Sequence, residues 1–116
     1  MALSVARARK LLLGFDNVHE APHFDRFAFK TPRRTFATLA GDGSDVNFML
    51  DPLDQETFCE MAPRALAPVP GGWGRMGATR CDLKKVDEQT FVAALEAAHA
   101  RASEPRSRRR AKPPAR

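Results

Sequence analysis

The chain has 116 residues, of which 43% are hydrophobic and 28% charged, enough for one globular domain and too few for two full domains. Its 19 Lys and Arg against 14 Asp and Glu give a net charge of +5. All of this excess lies in residues 104–116, which leaves residues 1–103 neutral in sum.

The first predicted element is a short amphipathic helix. Ser4 is a residue type that caps helix N-termini, and apolar residues follow at three- and four-residue steps: Val5, Ala8, Leu12 and Phe15. Only three consecutive leucines occur here, far short of the ~20 apolar residues of a membrane span. No secretory signal is recognised. We therefore expect a cytoplasmic protein without a membrane segment.

Strands are predicted after Phe24, where the apolar period changes from helical spacing to two. A turn at residues 31–34 separates residues 27–30 from residues 36–39, which predicts a hairpin with a basic tip. A third strand is predicted over residues 46–50, after a Gly- and Asp-rich turn. These strands place a stripe of phenylalanines in the expected core: Phe24, Phe27, Phe29, Phe36 and Phe48.

Helices and strands alternate in the second half. Asp51 followed by Pro52 predicts a helix start, and residues 65–70 are extended and proline-limited, which suits a sheet edge. Residues 71–74 read as a tight glycine turn that feeds a strand over residues 75–83, and Asp87 caps a last helix that frays near Ser103. The order predicts an α+β, two-layer fold with an antiparallel sheet and helices packed on one face.

The C-terminal residues differ in composition from the rest. They are rich in proline and arginine and have no large apolar side chain, so residues 104–116 are predicted to be disordered. Two interpretations stay open, a solubilising terminus and an arm that binds a polyanion. The cations of such an arm are Arg106, Arg108, Arg109, Arg110 and Lys112.

Three stretches of the body carry a family resemblance: Phe27-Ala28-Phe29-Lys30, Arg34-Thr35-Phe36-Ala37-Thr38-Leu39, and Gly72-Trp73-Gly74-Arg75-Met76-Gly77-Ala78-Thr79-Arg80. With Ala93-Ala94-Leu95-Glu96-Ala97-Ala98 in the last helix, the chain resembles the MmcQ/YjbR family over about residues 4–103. The resemblance implies residues 1–103 as one domain with a CyaY-like, frataxin-like fold. It also implies DNA binding, by analogy with a double-wing domain, and brings no catalytic motif. His99 stands where the family often has an aromatic residue.

Motifs for metal or nucleophilic chemistry are weak. His19-Glu20-Ala21-Pro22-His23 matches H-E-x-x-H, whose two histidines bind zinc only from one helix face. Pro22 breaks that helix, so we interpret the match as chance and place His23 at the start of the first strand. Cys59 and Cys81 lack metal-ligand spacing and are expected to be reduced and buried. We predict no catalytic residue, metal or cofactor.

Four arginines and one tryptophan are candidate binding residues. Arg33 and Arg34 at the hairpin tip, with Arg75 and Arg80 flanking the glycine turn, correspond to two basic wings that contact phosphates. Trp73 is either a platform on which an unpaired base stacks or a residue that folds into the core or closes a turn, and the second arrangement is the commoner one.

The sequence favours a small, monomeric, non-catalytic protein that binds DNA or another polyanion through these arginines and the basic tail. The alternative is a protein–protein adaptor that presents a sheet edge near residues 65–70 to an unknown partner. An enzyme or small-ligand binder ranks last, because no nucleophile–base pair or phosphate cradle is present in the sequence.

Overall fold

The computed structural model describes residues 3–104. The predicted disorder and cations of the tail beyond Glu104 lie outside the described residues. In chain order the elements are α1 Val5–Leu12, β1 His19–His23, β2 Arg26–Lys30, β3 Thr35–Ala40, β4 Asp45–Met49, α2 Pro52–Met61, β5 Leu66–Pro68, α3 Gly72–Arg75, β6 Ala78–Asp82 and α4 Glu88–Ser103. The six strands of this part of the chain form one antiparallel sheet in the order β1-β2-β3-β4-β6-β5.

Three helices begin at the side-chain caps that the sequence predicts. The Ser4 hydroxyl accepts a hydrogen bond from the Arg7 N–H at 3.1 Å. The carboxylates of Asp51 and Asp87 likewise accept from backbone N–H groups of the first turns of α2 and α4. Each cap satisfies a donor that the helix itself leaves unpaired, so local chemistry fixes these starts.

The core lies between one face of the sheet and helices α1 and α4. Strand alternation points Phe29, Phe48 and their neighbours inward, where they are fully buried. The ring of Phe48 meets Phe91 of α4 edge-on, with centroids 5.2 Å apart. The α+β fold with helices packed on one face of an antiparallel sheet is confirmed.

His99 is half-buried and packs against aromatic side chains beside this core. Its ring stacks on Phe15 with centroids 3.8 Å apart and an interplanar angle of 5°, and it meets Phe36 edge-on. Burial lowers the pKa of the His99 imidazole. The neutral ring therefore serves here as a flat packing group between two phenyl rings.

The first strand is where the sequence-based expectation is wrong. Residues 19–23 form β1, and His23 ends this strand instead of beginning the first one. Pro22 is tolerated because β1 is an edge strand. Phe24 then falls in the two-residue turn to β2 at φ 59° and is 94% exposed, so it does not belong to the core stripe. The extended H-E-x-x-H segment confirms that its histidines share no helix.

The glycine-rich segment also differs from the expectation. Residues 72–75 form the single helical turn α3, and the following strand begins only at Ala78. The expected edge strand near residues 65–70 is confirmed as β5, next to β6. No helix within residues 3–104 is long and apolar enough to cross a membrane.

Candidate functional site

The sheet face opposite α1 and α4 carries a groove of about 350 Å³. Strand alternation turns small or polar side chains of β2, β3, β4 and β6 to this side, because their neighbours along each strand fill the core. We call it the open-face groove. Its lining residues are Pro22, His23, Arg26, Ala28, Lys30, Thr35, Thr38, Asn47, Met49, Val69, Trp73 and Ala78.

Trp73 forms one wall of the open-face groove. Trp73 is 66% exposed, so it does not fold into the core; of the two arrangements expected for a structural tryptophan, only its place in a turn is observed. The reason is the packing of α3: a Cβ atom on Gly74 would lie 1.8 Å from the Val69 carbonyl oxygen, and only glycine permits that approach. The Gln55 side chain donates to the Gly74 carbonyl at 2.8 Å and ties α3 to α2. These contacts hold the indole outside the core.

The floor of the groove contains an amide with unused hydrogen-bonding capacity. Asn47 pairs with Thr38 on β3 and Arg80 on β6 in the sheet register. Its Oδ1 atom is buried and has no hydrogen-bond partner among the residues that the structure describes. A buried acceptor without a donor is costly, and an amide flip would exchange this oxygen for a donor. Asn47 lines the groove, and its amide therefore has a hydrogen-bonding group that no described residue uses.

Two arginines on this face share one carboxylate. Asp45, whose side chain is 12% exposed, accepts from the Arg26 guanidinium at 2.7 Å and from Arg80 Nε at 3.0 Å. Arg26 also donates to the hydroxyl and carbonyl oxygens of Thr38. Part of the positive charge of this pair is thereby neutralised inside the protein.

Basic residues meet at one end of the sheet. The strand register brings the β2–β3 tip, the end of β4 and the start of β6 to the same end of the sheet. The register pairs that show this are Lys30 with Thr35, Ala37 with Phe48, and Met49 with Ala78. The segment α3, which immediately precedes β6, lies there as well. We call this the basic end, and its cations are Lys30, Arg33, Arg34 and Arg75.

The last turn of α4 is anchored at the same end. The Thr31 hydroxyl donates to the Ala102 carbonyl at 3.2 Å, and the Arg34 guanidinium lies 3.5 Å from the Glu104 carbonyl oxygen. Arg101 donates to the Leu50 carbonyl at the end of β4. Glu104, the last residue that the structure describes, therefore lies beside the β2–β3 tip.

The structure sorts the sequence-predicted arginines into two groups. Arg33, Arg34 and Arg75 share the basic end, with Arg33 and Arg75 exposed. Arg80 lies in the middle of β6 and is bound to Asp45, away from the α3 turn that it was expected to flank. The predicted tail cations Arg106, Arg108, Arg109, Arg110 and Lys112 lie outside the described residues.

The groups capable of metal or thiol chemistry are dispersed. No cluster of three His, Cys, Asp or Glu side chains that could hold a metal ion occurs within residues 3–104. His19 and His23 stand four residues apart on a strand, which separates their Cα atoms by about 13 Å. Burial raises the pKa of the Cys81 thiol to about 12 and also raises that of Cys59. Both thiols are therefore protonated at neutral pH and poor nucleophiles.

Sequence reasoning missed the groove residues Asn47, Met49 and Val69. Alternation within the third strand held the signal for the first two, because Val46 and Phe48 point inward and residues between them must point outward. Val69 had no such signal, since its position depends on the contact between the chain after β5 and α3.

Comparison with solved structures finds a similar fold. The crystal structure of Deinococcus radiodurans protein DR2400, with a DUF419 domain, is similar over 94% of this chain and 87% of that chain, with a TM-score of 0.73 and 16% sequence identity. At this identity the likeness shows the fold alone. No family model matches the chain, and no curated protein matches it.

Proposed function

We propose that this protein binds nucleic acid without catalysing a reaction, and that its basic end holds the phosphate backbone. The observation that carries the proposal is that Lys30 and Arg33 of the β2–β3 hairpin lie at the same end of the sheet as Arg75 of α3, in a domain whose charges sum to zero. Two to three strand spacings, ~10–15 Å, separate the β2–β3 tip from the start of β6. Cations at such spacing would contact different phosphates of one backbone rather than a single small anion.

The tail adds to this proposal through its point of attachment. Its arginines follow Glu104, whose carbonyl lies beside Arg34 at the basic end. Because these arginines follow Glu104 directly in the chain, they would add positive charge close to the phosphates that the body is proposed to hold. The resemblance to the MmcQ/YjbR family and its double-wing analogy supports the same function, and we propose membership of that family together with a cytoplasmic location.

The test is binding of labelled DNA by full-length charge variants, measured by fluorescence anisotropy between ~50 and 300 mM salt. Arg33→Glu and Arg75→Glu should each weaken binding and lower the salt slope by about one phosphate contact, ~0.7–0.9. Replacing Arg108, Arg109 and Arg110 by Gln should lower it by about two to three times as much.

Arg64→Glu is the matched control. Arg64 is exposed, and its substitution by Glu changes the net charge by the same amount as Arg33→Glu. Arg64 precedes β5 at the opposite end of the sheet, where the Asp82 N–H donates to the Ala65 carbonyl. We expect Arg64→Glu to change affinity and salt slope much less. Equal losses at Arg64 and Arg33 would show that only net charge matters and would remove the basic end from the proposal.

A second candidate function is a protein–protein adaptor. Exposed apolar side chains favour it, since Leu53 and Met76 are each 72% exposed and Met61 58%. Edge strand β5 could also pair with a partner strand. A partner that stays bound after nuclease treatment and is lost in Leu53→Ser and Met76→Ser variants would favour the adaptor.

A further inference from the structure

We infer that the open-face groove receives one unpaired base of a single-stranded nucleic acid, with Trp73 stacking on the base while the basic end holds the flanking phosphates. The inference rests on the proposed function and names its substrate class, single strands in preference to duplex. Three independent features of the groove support it.

The first feature is the exposed aromatic wall. Trp73 is 66% exposed and lines the groove from α3, which Gly74 and Gln55 hold against the sheet. A large aromatic side chain held outside the core has a cost in water that a planar ligand would remove. Every nucleobase offers such a planar surface, so stacking requires no particular sequence.

The second feature is the polar floor. Asn47 carries a buried oxygen without a partner among the described residues, Thr38 lies opposite it on β3, and Thr35 also lines the groove. The edge of a base presents both donors and acceptors, and the Asn amide can offer either kind of group. The apolar parts of the lining, Ala28, Met49 and Ala78, suit the ring atoms.

The third feature is size and charge together. A volume of about 350 Å³ is at the lower end of small-molecule sites, enough for one ring system but not for an intact helix. Lys30 lines the groove and also belongs to the basic end, next to the β2–β3 tip. Phosphates on either side of a bound base would therefore meet cations. A base within a duplex is stacked and paired, so it cannot enter.

The experiment uses the full-length protein, in which Trp73 is the single tryptophan and reports on its own surroundings. The probes are a short single strand of mixed sequence, the same strand with abasic sites, which keeps the phosphates but removes bases, and the corresponding duplex. We expect the single strand to quench Trp73 fluorescence and to bind several-fold more tightly than the abasic strand. The duplex should bind without comparable quenching.

Variants separate stacking from folding. Trp73→Ala should lose about five- to hundredfold in affinity for the single strand and none for the abasic strand, while Trp73→Phe should restore part of the loss. Met76→Ala is the matched control, because Met76 is equally exposed beside α3 but does not line the groove. Urea unfolding checks that each variant is folded.

The outcomes distinguish the two proposals. Equal binding of normal and abasic strands, with unchanged fluorescence, would overturn the base-binding groove and leave phosphate binding at the basic end standing. Equal quenching by duplex would also overturn it. If neither strand nor duplex binds, the proposed function fails and the inference fails with it. Quenching that rises with protein concentration alone would assign the groove to a second copy of the chain.

Discussion

Replacing Asp45 by asparagine tests how burial decides the strength of the ion pairs on the open sheet face. The substitution keeps the shape of the side chain and removes the charge that Arg26 and Arg80 share. The Arg26 side chain is 22% exposed, whereas that of Arg80 is 45% exposed. Breaking one partner of a fully buried pair costs ~3–5 kcal/mol, and exposed pairs contribute ~0–1 kcal/mol.

These limits set the expected magnitudes. Asp45→Asn should lower the free energy of unfolding by ~1.5–3 kcal/mol, because a partly buried guanidinium loses its counter-ion while asparagine still accepts a hydrogen bond. In double-mutant cycles, the coupling of Asp45 to Arg26 should reach ~1–2 kcal/mol, and its coupling to Arg80 only ~0.5 kcal/mol. The two arginines are replaced by glutamine for these cycles.

The assay is urea unfolding at pH 7, followed by far-UV circular dichroism, with the slope of the transition checked for each variant. Glu88→Gln provides the control, since its pair with Arg7 is exposed on both sides and should contribute less than the Asp45 pairs. Equal coupling energies of Asp45 to Arg26 and to Arg80 would refute the argument from burial. A loss at Glu88→Gln as large as that at Asp45→Asn would do so as well.

Three further substitutions or titrations have definite expected outcomes. Gly74→Ala should lower the free energy of unfolding by ~1–3 kcal/mol, because the new Cβ would lie 1.8 Å from the Val69 carbonyl oxygen. Gly72→Ala in the same turn is the control: its Cβ would meet no atom closer than 3.7 Å, so the same urea assay should show little change. Burial lowers the pKa of His99 below 6.5, so the unfolded chain binds more protons than the folded chain as the pH drops. The urea midpoint should therefore fall between pH 7.5 and pH 5.5, and His99→Gln should make the midpoint less dependent on pH. A His99→Gln variant with the same pH dependence as the original protein would contradict this prediction. Burial raises the pKa of the Cys81 thiol to about 12, so Cys81 should react with an aromatic disulfide reagent at pH 8 only after unfolding. Modification of Cys81 in the folded protein, detected by mass spectrometry, would contradict its burial.

Much of the architecture could be predicted because it depends on neighbours in the chain. The caps at Ser4, Asp51 and Asp87 act within three residues, and period-two alternation in residues 27–30 and 46–50 marks strands whatever they pair with. The sequence does not predict the first strand, because its residues are mostly polar and include Pro22, a composition tolerated only at a sheet edge. Without that strand, the sequence pattern predicts Phe24 in the core, whereas the structure places it in the turn between β1 and β2.

The candidate site depends far more on tertiary structure. The sequence alone determined which residue types were available: a neutral body, a basic tail, exposed-turn arginines and one tryptophan between glycines. The register of the sheet depends on pairs of residues that are distant in the chain. It places Arg33 and Arg75 at the same end of the sheet and brings Arg80 close enough to bind Asp45. The position of Trp73 followed from the approach of Gly74 to Val69, a backbone contact that only the folded chain makes. Local patterns fix elements, whereas a binding surface depends on which elements meet.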